Sequence, residues 1–244
     1  MKQLSLLLLT VVFFSYCYSQ NDPIEKTQAG RTNTESLTSG ENMYGSVRTF
    51  DRRYQGVEGS PYFSNLFSKG TIWMKNGGIK KDVAAVLNLS ESQIEVSMNG
   101  VINTIPFKLI DHFELLDSMG INRQFEVRSI VTEKGESEIL ALEKIYRGKS
   151  ILYKQYYKEF RAATYQGAYS SDQRKDQYID RSRYYVQAAG SPVFTSVRLS
   201  RSSWTKALET QKNEIKTFLK KEGLKMEQEQ DAIAILRYYD SLFQ

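Results

Sequence analysis

Short apolar segments with a period of two residues constrain the fold of this chain more than any other feature. In residues 94–98 every second residue is apolar, and the following pair Asn99-Gly100 is typical of a two-residue type I′ turn. Val101 then begins a second apolar segment. Because successive side chains of a β-strand point to opposite faces, this pattern predicts an antiparallel hairpin.

Further segments with a strand-like pattern follow at similar spacing. They comprise residues 71–74, 83–89, 107–115, 124–132, 138–147, 150–160, 184–188 and 193–199. Short strands spaced in this way predict a mainly β protein, built as an antiparallel sandwich or as an open, barrel-like sheet. We assign this β-domain to residues 58–200.

The pattern changes to a helical period in residues 201–244. Ile215, Phe218 and Leu219 are spaced as one face of a helix, and Gly223 suits a left-handed stop after it. A second stripe comprises Ile233, Leu236, Tyr239 and Leu242. We expect two amphipathic C-terminal α-helices packed on the β-domain, with partner binding by this tail as the alternative.

Residues 1–19 have the anatomy of a secretory signal. Lys2 precedes an apolar stretch, residues 4–14, that is too short to span a bilayer as a helix. We expect cleavage after Ser19 and export across the inner membrane to the periplasm, the outer-membrane periphery or the medium. Lipoprotein anchoring through Cys17 is disfavoured, because bulky Tyr16 stands where that processing expects a small residue. No later segment is apolar for long enough to predict a transmembrane span.

Residues 20–57 are rich in Asn, Thr, Ser, Gly and Glu, and this composition predicts a flexible leader. The segment that follows it contains Gly59, Ser60, Pro61 and Tyr62. A proline-fixed turn followed by an aromatic residue predicts a structural pin for the leader, or a recognition element.

Composition limits the chemistry. The chain is 41% hydrophobic and 25% charged, which is ordinary for a globular protein, but it has one cysteine and one histidine. These residues are too few for a metal centre or a histidine-based triad, so we expect neither a metal nor a cofactor. His112 follows Asp111 in a predicted strand near a sheet edge, and neighbours in a strand face opposite sides, so we expect no hydrogen bond between them.

Two groups of acidic residues leave a carboxylate-based reaction or a calcium site open. They are Glu133, Glu136 and Glu138, and Asp172, Asp176 and Asp180. A pair of such groups is the minimum for a glycoside hydrolase. We interpret the first group as a solvated hairpin tip, and the second as neutralised by neighbouring lysine and arginine residues.

Residues 143–185 have the clearest compositional bias, with ten lysines and arginines, five acidic residues and nine tyrosines. Basic and aromatic side chains together suit an anionic or glycan polymer, or a protein partner. The candidate binding residues are Tyr153, Tyr156, Lys158, Arg161, Arg183, Tyr184 and Tyr185. The alternative is that the tyrosines only fill strand positions.

The order of elements also resembles a family of known proteins. The segments that carry the resemblance are Val57-Glu58-Gly59-Ser60-Pro61-Tyr62-Phe63, Phe67-Ser68-Lys69-Gly70-Thr71-Ile72, Ile94-Glu95-Val96 and Arg237-Tyr238-Tyr239-Asp240. The chain resembles a broad family of uncharacterised exported β-rich proteins of Bacteroidota. The resemblance implies export and a β-rich fold with a helical tail, and it implies no reaction and no site residues.

We therefore expect an exported, non-enzymatic cell-envelope protein that binds another protein or a surface polymer, and not nucleic acid. A carbohydrate-active hydrolase that uses a pair of carboxylates is the alternative. The sequence leaves the ligand and the oligomeric state open.

Overall fold

The computed structural model describes residues 56–98, 100–131, 135–163 and 175–243. Within these ranges the protein is mainly β, with ten antiparallel strands in one open sheet followed by C-terminal helices. The predicted mainly β fold is confirmed, in the form of an open sheet and not of two sheets packed as a sandwich. The predictions for residues 1–55 lie outside the described residues.

Neighbouring strands of the sheet are consecutive in the chain, except at the centre, where the first and the fifth strands pair. Its strands are β1 (Ser68–Met74), β2 (Ile79–Asn88), β3 (Gln93–Met98), β4 (Val101–Pro106), β5 (Ile110–Leu116), β6 (Asn122–Val131), β7 (Ser137–Arg147), β8 (Ile151–Arg161), β9 (Gln177–Gln187) and β10 (Phe194–Val197). Their spatial order is β10-β9-β8-β7-β6-β5-β1-β2-β3-β4. The two terminal strands of the sheet are therefore β4 and β10.

Strands β5, β1, β2, β3 and β4 must curl into a barrel-like arc. A flat sheet would place β5 and β4 about 19 Å apart, at about 4.8 Å per strand. Only the 3₁₀ turn Phe107–Leu109 joins them, and four Cα steps reach at most about 15 Å. The arc encloses the larger core, whose most buried members include Ile72, Leu87, Ile94, Ile110, Phe113 and Phe125.

Several strand boundaries differ from the sequence prediction, including the start of β2, which is Ile79 and not Val83. Residues 107–109 form the 3₁₀ turn because the chain changes direction there, with the Phe107 N–H donating to the Ser92 carbonyl. Strand β9 begins at Gln177 and not at Tyr184, because it pairs with β8 over its whole length. Its first seven residues are mostly polar, so their sequence shows no apolar alternation that would predict a strand.

The C-terminal region consists of α1 (Arg201–Ala207), α2 (Lys212–Lys221) and α3 (Glu229–Ser241). Helices α2 and α3 correspond to the two predicted helices, and Gly223 after α2 has a φ of +63°. The short α1 is an addition, capped by the Ser200 side chain, which accepts a hydrogen bond from the Ser203 N–H. The helices pack on the sheet through a second core that includes Trp204, Ile215, Leu236, Leu152 and Val186.

The expectation for His112 is wrong in two respects. Its strand β5 lies between β1 and β6 and not near an edge, and its Nδ1 is 2.8 Å from Oδ2 of Asp111. The β1–β5 register shifts between Trp73 and Met74, so Asp111 is the extra residue of a β-bulge. A bulge re-aims side chains, and here it turns the carboxylate toward the neighbouring imidazole.

Candidate functional site

An open groove of about 1220 Å³ lies along β10, at one edge of the sheet. β10 is short and pairs only with residues 184–187 of β9. Beyond this short pairing, side chains from β9, β10, the β6–β7 hairpin and α1 surround an open space. We call this space the edge groove. Its aromatic and basic lining residues are Tyr157, Arg183, Tyr184, Tyr185, Phe194, Arg198 and Lys206.

Packed aromatic rings support one wall of the edge groove. Tyr185 is 3% exposed and lies opposite Tyr153 in the β8–β9 ladder. The Tyr153 ring lies 5.6 Å from that of Phe194 on β10, and all three residues belong to one apolar cluster. This wall is therefore mostly buried, and its partly exposed ring is that of Phe194.

Arg183 is held over this wall by aromatic neighbours. Its guanidinium carbon lies 5.6 Å from the centroid of the Tyr157 ring, and its Nη1 donates to the Tyr185 hydroxyl at 3.4 Å. The hydrogen bond to Tyr185 raises the pKa of Arg183, although partial burial opposes this. A cation fixed on aromatic faces is pre-organised to meet an anionic group.

Three cations of the edge groove have no carboxylate within ion-pair distance in the part of the chain that the structure describes. They are Arg183, Arg198 and Lys206. Glu136 and Glu138 line the same space from the β6–β7 hairpin. Hydroxyl groups complete the lining, on Ser182, Thr195, Ser196, Ser200, Ser202 and Ser203. The groove thus offers positive charge that is not neutralised by a direct ion pair, and many neutral hydrogen-bonding groups.

The seven candidate binding residues do not form one surface. Arg183, Tyr184 and Tyr185 line the edge groove, and Tyr153 lies behind its wall. Lys158 pairs with Asp180, and Arg161 donates to Glu159. Because neighbouring residues of a strand alternate between faces, residues that are adjacent in the sequence are divided between the two sides of the sheet.

Tyr156 lies on the face of β8 opposite to Tyr157 and is partly buried. Its hydroxyl donates to Oε2 of Glu143 at 2.6 Å, and Nη1 of Arg123 donates to the other carboxylate oxygen at 3.0 Å. Burial and the hydrogen bond to Glu143 raise the pKa of Tyr156 to about 12. Phe63 packs edge-on against the Tyr156 ring at 4.8 Å. Tyr156 therefore packs against the larger core and does not line the edge groove.

Tyr184 contacts the helices as well as the groove. Its hydroxyl donates to Oε2 of Glu229 at 3.0 Å, and Lys154 Nζ donates to the same oxygen at 2.9 Å. Burial lowers the pKa of Lys154, but the hydrogen bond to Glu229 and electrostatic interactions with Glu229 and two neighbouring tyrosines outweigh it, so the pKa is raised. These contacts fasten the first residue of α3 to β8 and β9.

The segment from Gly59 to Tyr62 connects distant parts of the sheet. Glu58 forms a parallel bridge with Gln177 of β9, and Tyr62 bridges to Asn88 of β2. Gly59 has a φ of +80°, and a Cβ there would lie 2.5 Å from the Tyr178 carbonyl oxygen. The Ser60 hydroxyl accepts from the Tyr62 N–H, while Pro61 O accepts from Leu89 N–H. These contacts are those of a structural link, and the recognition role stays a prediction.

The predicted acidic groups are placed apart. Glu133 and Asp172 lie outside the described residues. Asp176 accepts a hydrogen bond from the Ala163 N–H, and Asp180 pairs with Lys158. In the described ranges, no set of three or more His, Cys, Asp or Glu side chains is arranged to hold a metal ion. Nor does any helix in these ranges combine the length and apolar character needed to cross a membrane.

Sequence reasoning missed four of the aromatic and basic residues that line the edge groove. Tyr157 lies in the tyrosine-rich segment but is not among the seven candidate binding residues. For Phe194, the only sequence signal is that it is aromatic. Arg198 and Lys206 lie beyond that segment and reach the groove because β10 pairs with β9 and α1 packs beside β10. Comparison with protein-family models, with curated proteins and with solved structures found no match to this chain.

Proposed function

We propose that this protein is an exported, non-enzymatic component of the cell envelope that binds an anionic surface polymer in the edge groove. The signal-like residues 1–19 support export. The observation that carries the binding proposal is a set of three groove cations, Arg183, Arg198 and Lys206, that form no direct ion pair among the described residues. Glu138 acts on Arg183 only at longer range.

The lining fits a hydrated, charged chain better than a compact apolar ligand. Most small-molecule sites are concave and mainly apolar, whereas this groove is open and rich in serine hydroxyls. Hydroxyl groups exchange hydrogen bonds with sugar hydroxyls, and guanidinium groups bind carboxylates or phosphates in two-pronged fashion. A polysaccharide that carries such acidic groups presents both features along its length.

A hydrolase is less consistent with the position of the groove carboxylates. Glycosidases place their two carboxyl groups on either side of the scissile bond. Glu136 and Glu138 are separated by one residue at the start of β7, so both come from the same side of the groove. The alternative of a carboxylate-based hydrolase therefore ranks second.

Binding of defined polymers tests the proposal. Titration calorimetry of the full chain against polygalacturonate, neutral dextran and poly-L-glutamate should show binding to polygalacturonate that weakens as salt rises. Arg183→Gln, Arg198→Gln and Lys206→Gln should each weaken it about tenfold, which corresponds to ~1.4 kcal/mol. Lys216→Gln, an exposed change on α2 outside the groove, is the matched control and should leave binding unchanged.

Each other outcome counts against the proposal. Binding to poly-L-glutamate but not to polygalacturonate would indicate that the groove binds an acidic protein and not a polysaccharide. Binding that the three groove variants leave intact would place the site elsewhere. Release of new reducing ends from a polysaccharide, abolished by Glu138→Gln, would instead establish the hydrolase.

A further inference from the structure

Strand β4 forms the end of the sheet opposite to the edge groove, and its outer edge has no strand partner in the described ranges. Its first four residues are exposed, with Val101 at 61% and Ile102 at 40%. Met98, which lies opposite Val101 on β3, is 42% exposed. An exposed edge with apolar side chains is a template for pairing with another strand.

The hydrogen-bonding direction of each β4 residue follows from the β3–β4 ladder. The Phe107 N–H donates to the Ser92 carbonyl at 3.0 Å, so this pair is a hydrogen-bonded one. Such pairs alternate with pairs that are not hydrogen-bonded. Val101, Asn103 and Ile105 therefore direct their backbone groups toward β3. Ile102 and Thr104 direct theirs outward, and they offer two N–H and two C=O groups to a new strand.

The composition of β4 favours a second copy of the same strand. The sequence Val101-Ile102-Asn103-Thr104-Ile105-Pro106 has no charged residue, so two copies meet without like-charge repulsion. Natural sheets commonly protect exposed edges with lysine or with inward-pointing charges. On β4 the only such device is Pro106, which lies at the far end of the strand and leaves Ile102 and Thr104 open to pairing.

We propose that two copies of this chain associate through antiparallel pairing of their β4 strands, centred on Asn103. In this register Ile102 of each copy exchanges two hydrogen bonds with Thr104 of the other, and the two Asn103 residues face each other. Val101 then packs beside Ile105 of the other copy, where the core reaches the sheet end. The edge groove lies at β10, the other terminal strand, so pairing leaves it uncovered.

Disulfide trapping tests both the pairing and its register. Directly opposed residues of a non-hydrogen-bonded pair have Cα atoms about 4.5 Å apart, within the range that a disulfide spans. In a Cys17→Ser background, Asn103→Cys should give a covalent dimer under mild oxidation. Ile102→Cys is the matched control, because the two cysteines would lie on a diagonal about 7–8 Å apart and should not cross-link efficiently.

Sedimentation equilibrium on the full chain, expressed so that any processing takes place, tests the association without cross-linking. The wild type should have about twice the monomer mass. Ile102→Lys should be monomeric, because it places charges at the pairing edge. Thr104→Pro should be monomeric as well, because it removes an outward N–H that β3 does not use. Val193→Lys, a change at an apolar residue that is 61% exposed and outside β4, is the control and should stay dimeric.

Circular dichroism will show whether each variant is folded, and two independent edge variants guard against a folding defect in one of them. A monomeric wild type at the highest soluble concentration would overturn the proposal. Equal cross-linking of Asn103→Cys and Ile102→Cys would overturn the register. Dimers that persist in both Ile102→Lys and Thr104→Pro would show that copies associate through another surface.

Discussion

Asp240 connects the last helix to the sheet, and its removal should cost the protein a measurable share of its stability. One carboxylate oxygen of Asp240 accepts from the Ser150 N–H at 3.0 Å, and the other accepts from the Tyr146 hydroxyl at 2.9 Å. Asp240 is 8% exposed and Ser150 is fully buried. The same contacts leave no room for a side chain at Gly148, whose Cβ would clash with Asp240 and Tyr146.

The magnitude for Asp240→Ala follows from these contacts. A buried N–H left without an acceptor costs about 1–3 kcal/mol, and loss of the hydrogen bond from partly exposed Tyr146 costs about 0.5–1.5 kcal/mol. Relief of the buried charge offsets part of the loss, so we expect a decrease of about 2–3 kcal/mol in the free energy of unfolding. For a chain of this size, that decrease lowers the melting temperature by about 4–12 °C.

Urea unfolding followed by circular dichroism measures the change. Asp240→Asn keeps one carbonyl oxygen for the Ser150 N–H, so it should lose only about 1 kcal/mol. Ser241→Ala alters the next residue on the same helix, at an exposed position, and should stay within about 0.5 kcal/mol of the wild type. A decrease below about 0.5 kcal/mol for Asp240→Ala would refute the view that this carboxylate fastens α3 to the sheet, because the lost acceptor alone exceeds that value.

Three further predictions concern other parts of the chain. Burial raises the pKa of Glu126, but hydrogen bonds from Lys144, Arg128 and Tyr153 outweigh it and lower the pKa to about 2. The ionised Glu126 therefore contributes its full stabilisation above its unfolded-state pKa of about 4.5, and this contribution is lost as pH falls toward 2. In acid unfolding, the stability of Glu126→Gln should depend less on pH over that range than the stability of the wild type. In thermal melts, Gly59→Ala should lower the melting temperature more than Gly190→Ala does. Both glycines have positive φ, but only at Gly59 would a Cβ meet a carbonyl oxygen. Equal decreases in melting temperature would contradict this steric argument. N-terminal sequencing of the exported protein should begin at Gln20, whereas a lipid-modified Cys17 at the N-terminus would refute the expected cleavage.

The sequence by itself determined the fold class, because apolar periodicity reflects which face of an element is buried. The alternation in residues 94–98 and the helical spacing around Ile215 are local consequences of burial on one side. Both patterns are present in the sequence alone. The polar beginning of β9 carried no such signal, since its residues are ordered by pairing with β8 and not by burial of apolar side chains.

Only the tertiary structure decided which candidate residues share a site. Tyr184 and Tyr185 are adjacent in the chain, yet one contacts the helices and the other supports the groove wall, because a strand alternates its faces. Arg198 and Lys206 join Arg183 because β10 pairs with β9 and α1 packs beside β10, and local sequence does not encode these contacts. The β-bulge at Asp111 likewise depends on the register between two strands, and it reversed the expectation drawn for His112 from an ideal strand. Periodicity thus records burial one element at a time, whereas the composition of a site depends on register and on long-range packing between elements.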